Sequence, residues 1–578
     1  MIPRRSTTVL ALLALLALLV GAAALVLKAT VLQRPAGGLA AISLPPGQSA
    51  AGLLADQQTG QVLVFTAAAG SGSSALGWGP VTVIPVFGSR PNASGQVAQV
   101  SVSAPNTFGQ NPGSGSAPTP GGVDLFAPGS ATLRLLANGV YAPSLAVVDD
   151  TASRLVLADQ AGGDLTVVDM ASGRRLQSFP LGATPVAVTA DTWTGRVFVA
   201  SFDETMDVVD TRGGAPVRVV STRPPPLPGA IPIAGATVAA VLDGPRGHVL
   251  VLDFSTPHTP GGVVVLDSRD GHMLRTIAVG PAPRALVVDE ARAHAFVVRA
   301  TGIDMLDTRR LTLLRTTPIS HFAPSVPRYL AALASYSSSR VAVTTLLDER
   351  LGRLFVATGS GTVYVVDTAS GRLMNTLQLT GFAAPGRFGL PGFAPIPLAL
   401  LADDRTGRLI VLGYNGATMV DARNGAVTGS FNVGNMGGTG ANTSPAFLGA
   451  TSLATPGVAV DPRTGQLLVT SQGPSHAVSL PGSSVPVQVF DGPGSVDVLD
   501  GRNGALIRAL PAGLTPGAIA VDERGGRAFV LDEGGAVMAS DPWAWLPGWL
   551  RGRVPFLPPA NPPPRVVPPG IDIVDLPR

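Results

Sequence analysis

Nine times along this chain an alternating apolar run closes on an aspartate, and four residues later a small residue opens a second apolar run. The aspartates are Asp56, Asp149, Asp191, Asp243, Asp289, Asp348, Asp403, Asp461 and Asp522. Their partners are Gly60, Ser153, Gly195, Gly247, Ala293, Gly352, Gly407, Gly465 and Gly526. Each pair reads as strand, tight turn, strand: the carboxylate accepts N–H groups of the turn, and glycine supplies the positive φ that tightens it. A hairpin recurring at intervals of tens of residues marks a repeat protein.

The clearest unit runs from Val341 to Leu379 and contains four β-branched, alternating segments, the third ending at Asp367. A second corner of the same kind thus joins strands C and D. It recurs as Asp169/Gly173, Asp210/Gly214, Asp267/Gly271, Asp367/Gly371, Asp421/Gly425 and Asp500/Gly504. Asp307 keeps the acid but has Leu311 in the glycine position, and the first unit has Ala127 in place of the acid. An acid repeated at one corner in unit after unit is a device of the fold, which weighs against a catalytic role for these aspartates. Four-stranded antiparallel units, apolar on both faces, predict an all-β fold, a single large β-propeller. The best count is nine blades, or eight if the first unit, split by an insertion, is not a blade.

The segments Gly195–Asp210, Gly352–Asp367 and Thr515–Asp532 resemble the YVTN-type β-propeller repeat family. The resemblance covers most of the chain after residue 38. It implies the propeller fold and says little about activity, and the tetrad that names the family is degraded here.

The last unit has strands A and B over 515–532, a long insertion, and a strand C at Ile571–Asp575, but the chain stops at Arg578 before a strand D. Leu39–Leu44, ahead of the first unit, reads as that missing strand, so the N-terminal strand is expected to complete the last blade and remove an exposed sheet edge. Short corners then share one face of the ring. The long connections, about 67–121, 222–235, 254–260, 320–339, 380–396, 435–454, 472–494 and 533–570, share the other. Variable loops on a rigid scaffold carry function, so the loop-bearing face is the expected binding surface.

The N-terminus adds a location. Arg4 and Arg5 precede an apolar stretch, 9–27, that spans roughly 28 Å as a helix, close to the bilayer's hydrocarbon thickness. This predicts a transmembrane anchor preceded by a cytoplasmic 1–8 and followed by a linker, 28–37, with the propeller, 38–578, outside the cytoplasm. The alternative is a signal peptide cleaved after Ala22-Ala23-Ala24, which leaves the propeller secreted. Cysteine is absent, which excludes disulfides, thiolate metal sites and cysteine nucleophiles. Charged residues make up only 13% of the chain against 46% hydrophobic, and the net charge is +3. No block of like charge stands out, so no nucleic-acid partner is expected.

Candidate chemistry is sparse. The histidines His248, His258, His272, His294, His321 and His476 are scattered singly, without metal-ligand spacing. There is no G-x-S-x-G nucleophile elbow, and the glycine-rich run 434–440 lacks the Lys-Ser/Thr of a phosphate loop. Leu176, Leu274, Leu373 and Ile507 stand where quinoprotein propellers carry a tryptophan after the turn. No catalytic residue, metal or cofactor is therefore assigned. The insertion 533–570 is the most distinctive segment, with Trp543, Trp545, Trp549, Arg551 and Arg553 ahead of a proline-rich run. Tryptophan with arginine is the composition of partner contacts or of a membrane-interface loop, and equally of a lid packed over the ring's own channel. Two readings follow. One is an anchored binding or scaffold module for a protein, cell-envelope or small-molecule ligand. The other is a propeller hydrolase or lyase of the lactonase kind, with its site at the channel mouth.

Overall fold

The computed structural model describes most residues between 40 and 576; its longest undescribed stretches are 1–39, 69–81, 84–120, 222–236, 320–342, 380–398, 432–457 and 538–564. The expected anchor lies outside the described residues, among which no helix is long and apolar enough to cross a membrane. What is described is almost wholly strand, and the fold is all-β.

Nine four-stranded antiparallel units follow one another along the chain. Sheet 1 comprises Gln48–Ala55, Val62–Ala68, Gly121–Phe126 and Arg134–Val140. Sheet 2 begins at Leu145–Asp149, sheet 3 at Pro185–Asp191, sheet 4 at Thr237–Asp243 and sheet 5 at Pro283–Asp289. Sheets 6, 7 and 8 begin at Val343–Asp348, Ala399–Asp403 and Val458–Asp461. Sheet 9 holds Pro516–Asp522, Arg527–Asp532 and Gly570–Asp575, and its fourth strand is Ala40–Ser43. That strand pairs Ala40 with Ile573 and Ser43 with Gly570, so the first strand of the chain does complete the last sheet. The split first unit is a sheet like the others. Sheet 2 gains a fifth strand on its inner edge, where Thr82–Val83 runs parallel to Leu145 and Ala146.

Period-two side-chain alternation explains why these strands are apolar throughout. In His294–Arg299, Ala295 and Val297 pack with sheet 4, whereas Phe296 and Val298 pack with sheet 6. One continuous apolar run thereby serves two interfaces. Phe198, Phe296, Phe355 and Phe529 occupy the same place in their sheets, fully buried and aimed at the next sheet in order. Burying each contributes on the order of 2–3 kcal/mol. Such clusters join sheets 2 through 9 in succession, and a further one joins sheet 9 to sheet 1 through Ile42, Leu44, Val62, Val64, Phe529, Leu531, Ile571 and Ile573. The faces left over are Leu63 and Leu125 of sheet 1 and Leu155 and Leu157 of sheet 2, and all four are buried. Sheets stacked face to face in chain order, the last on the first, form a β-propeller.

A tenth sheet stands outside this order. It consists of Ser475–Val478, Val487–Phe490, Gly535–Val537 and Arg565–Val567. The first two strands belong to the 472–494 connection of sheet 8 and the last two to the 533–570 connection of sheet 9. Both connections had been expected to be loops.

Candidate functional site: a plain turn face and a built loop face

Most described corners on the turn face share one design; at Asp243 the carboxylate instead takes the Arg246 side chain. At the A–B corners the aspartate carboxylate accepts the N–H three residues on, from Thr194 to Asp191 (3.3 Å), Arg292 to Asp289 (3.0 Å), Leu351 to Asp348 (2.8 Å) and Gly525 to Asp522 (2.9 Å). At the C–D corners the acceptors include Asp169, Asp210, Asp367 and Asp500, bonded by N–H groups of Ser172, Arg212, Ser370 and Arg502. Hydrogen bonds from the Ser172 hydroxyl and N–H hold the Asp169 carboxyl below its ordinary range. The Asp367 carboxyl is also held low; partial burial opposes this, but Ser370 and Arg353 outweigh it. The two corners of a sheet are tied as well: Thr211 N–H donates to the Gly195 carbonyl (2.9 Å), and Thr308, Thr368 and Ala422 do the same in their sheets. Where glycine is replaced, the corner keeps its shape. Ser153, Ala293 and Leu311 hold φ of 52°, 60° and 56°, against 71° at Gly195. The corner aspartates are therefore structural.

Neighbouring corners are linked across sheets 4, 5 and 6. Gly244 N–H donates to Glu290 Oε1 (3.1 Å), and Glu290 N–H donates to Glu349 Oε1 (3.0 Å). Arg246 Nη1 spans from Asp243 Oδ1 (2.8 Å) to the Glu290 carbonyl (3.0 Å), and Arg292 Nη1 from Asp289 Oδ2 (3.1 Å) to the Glu349 carbonyl (2.7 Å). Burial, reinforced by the Asp243 and Glu349 charges, pushes the Glu290 carboxyl up to about 7 against the opposing Gly244 bond. Burial likewise raises Glu349.

The loop face rests on a second tier of acids that sequence reasoning missed. Asp207, Asp304, Asp497 and Asp572 each lie three residues before a corner aspartate in strand C. Asp304 forms an ion pair with Arg299 (Nε to Oδ2, 2.6 Å) and accepts hydrogen bonds from Arg299 Nη2 (2.8 Å), the Thr316 hydroxyl (2.6 Å) and Gly280 N–H of the preceding sheet (3.0 Å). Asp572 accepts Gly513 N–H (2.6 Å), again from the sheet before, and Asp497 accepts the hydroxyls of Ser471 (2.9 Å) and Ser495 (2.8 Å). The Asp-x-x-Asp doublets were the available signal. For Asp304 and Asp572 the preceding sheet supplies part of the reason, whereas Asp497 is held by serines of its own sheet.

Above this tier, Asp532 fixes the start of the long insertion. Its Oδ1 accepts Thr515 N–H (2.9 Å) and Gly534 N–H (3.1 Å), while the Thr515 hydroxyl donates to the Gly534 carbonyl (2.5 Å). The accessory sheet begins one residue later. Its central strands run parallel, with Val489 opposite Ala536 and Phe490 opposite Val537. The Phe490 ring lies where a β-carbon on Gly535 would stand, at 2.8 Å, so this glycine admits the ring. Trp543, Trp545, Trp549, Arg551 and Arg553 lie outside the described residues. Their segment connects Gly535–Val537 to Arg565–Val567, the last two strands of the accessory sheet.

The His272 and His294 rings pair singly with polar neighbours. His294 Nδ1 lies 2.8 Å from the Thr368 carbonyl, and His272 Nδ1 lies 2.5 Å from Asp270. Among the described residues no group of three His, Asp or Glu side chains could hold a metal ion.

No protein-family model and no curated protein matches the chain. Solved structures similar in outline include two that cover about two thirds of this chain. BamB from Moraxella catarrhalis is 14% identical, with 66% of this chain and 91% of that one covered at a TM-score of 0.38. The computationally designed Ika8 protein is also 14% identical, covering 68% and 90% at a TM-score of 0.39. At these scores the architecture rests on the strand pairing and interfaces above, not on likeness.

Proposed function

We propose that this chain is a propeller of YVTN-type repeats, tethered to a membrane by residues 9–27 outside the cytoplasm, that binds a protein or cell-envelope partner through its loop face. The observation that carries this reading is the accessory sheet. Two insertions from adjacent blades pair into a four-stranded platform, and the connection this platform presents is the tryptophan- and arginine-bearing 538–564. Tolerated loops have no reason to pair with one another. A built mount for aromatic and arginine side chains fits recognition, where such residues dominate binding energy. Scattered histidines and acids committed to corners and sheet contacts favour a scaffold over the lactonase-like alternative.

The test is to replace Trp543, Trp545 and Trp549 with alanine in the full chain and compare membrane extracts on native gels. The assembly containing this protein should be lost while the melting temperature stays the same. An unchanged assembly would leave the segment as a lid alone.

A further inference from the structure

The outermost strands expose apolar side chains in one repeating place, just after the C–D corner. Leu313 and Leu314 in sheet 5, Met374 in sheet 6, Val427 in sheet 7, and Leu506 and Ile507 in sheet 8 are between 43% and 60% exposed. Met273 and Leu274 continue the arc into sheet 4. Single exposed leucines are ordinary, but five successive sheets with the same exposure make a continuous band. The corners beside it carry exposed Arg309, Arg310, Arg423 and Arg502. From corner aspartate to early strand D, these five sheets hold nine arginines and six aspartates. Each of the corner aspartates Asp267, Asp307, Asp421 and Asp500 already accepts backbone N–H bonds within its own turn.

The chain's entry point supplies the occupant. Ala40 sits opposite Ile573, toward the Asp575 end of its partner strand, so this strand begins at the turn-face end of the ring's outer edge. Sheet 9, where they enter, adjoins sheet 8. The twelve residues 28–39 reach at most about 40 Å. On the tethered reading, a bilayer holding residues 9–27 lies within that reach of the turn-face edge of sheet 9.

We infer that the turn-face rim along sheets 4–8 rests on an anionic lipid surface, with leucine and methionine side chains entering the interface and arginines meeting phosphates. This rests on the tethered reading above and adds an orientation: the turn face meets the membrane and the loop face points away. Arginine stems cover apolar surface while their heads stay with charge, the pattern of membrane-surface binding.

The chain has no cysteine, so single labels are unambiguous. Full-length Leu314→Cys, Leu506→Cys and, on the loop face, Thr301→Cys would carry an environment-sensitive fluorophore in vesicles containing nitroxide lipids. With phosphatidylglycerol present, the first two labels should be quenched and the Thr301 label should not. Neutral vesicles should reduce rim quenching, and each of Arg309→Gln, Arg310→Gln and Arg423→Gln should shift the docked fraction about fivefold. Co-flotation with neutral vesicles tests the tether separately. A chain that floats without rim quenching, or with equal quenching at all three labels, overturns the rim contact and leaves the tether. Flotation only with anionic vesicles upholds the rim and sinks the tether. No flotation with either overturns both.

Discussion

The two faces of the ring are held by different logic. On the turn face one corner design recurs from sheet to sheet and its carboxylate bonds mostly close within two or three residues, with links between sheets 4, 5 and 6 added by Arg246, Arg292, Glu290 and Glu349. On the loop face Asp304 and Asp572 also bond the preceding sheet, and two insertions meet to make a sheet that neither could form alone. Repetition makes a rigid rim at low cost in sequence variety, and the unrepeated face is where one member of the array can differ from the rest.

The largest way to break that comparison is to remove residues 38–44. Sheet 9 then loses its outer strand together with Ile42 and Leu44, each worth on the order of 2–4 kcal/mol as a buried aliphatic side chain. Calorimetry should show an early, broadened transition. Melting like the intact chain would mean that the ring does not need its first strand.

Next comes Asp304→Ala against Asp421→Ala. The first leaves the buried Arg299 guanidinium without its carboxylate, a loss of about 3–5 kcal/mol. The second removes only half-exposed turn bonds from Arg423 and Asn424, costing about 1 kcal/mol. Equal losses in denaturant titrations would erase the distinction between the faces.

Glu290→Gln probes the linked corners on the turn face, and its effect depends on pH. Folding raises this carboxyl from 4.5 to about 7, so the native state favours the protonated form. The stability this gives is complete below pH 4.5 and lost as pH rises through 7. Glutamine keeps an acceptor for Gly244 without the charge. The variant should gain on the parent by on the order of 2 kcal/mol between pH 4.5 and 8, read from melts at both. A constant difference across that range would place the ionisation elsewhere.

The smallest effect is Leu311→Gly. Leu311 holds a left-handed backbone that costs a branched side chain about 1 kcal/mol, so glycine should stabilise sheet 5 by that amount, less what the side chain contributes to packing. A clear loss of stability would show that packing outweighs the strain.

These contrasts also explain what could be read from residues alone. The corners, the nine units and the strand exchange between the ends were legible because Asp, Gly and alternation act over four to eight residues. Even Leu311, where the glycine was missing, kept the predicted backbone. The buried Asp304 and Asp572 were not legible, since their reason is an N–H on the preceding sheet. Nor was the accessory sheet. Segments of three or four residues such as those at 475–478 and 535–537 carry no period, and they pair only after two distant insertions are brought side by side. The tryptophans were conspicuous, but only the platform shows that their segment is carried by paired strands.

The pairing of Ala40–Ser43 with Gly570–Asp575 has a consequence for biosynthesis. Ala40–Ser43 is translated long before Gly570–Asp575 and must wait for that strand before it can settle. Until then the nascent array carries an unsatisfied sheet edge, open to any other strand that reaches it first.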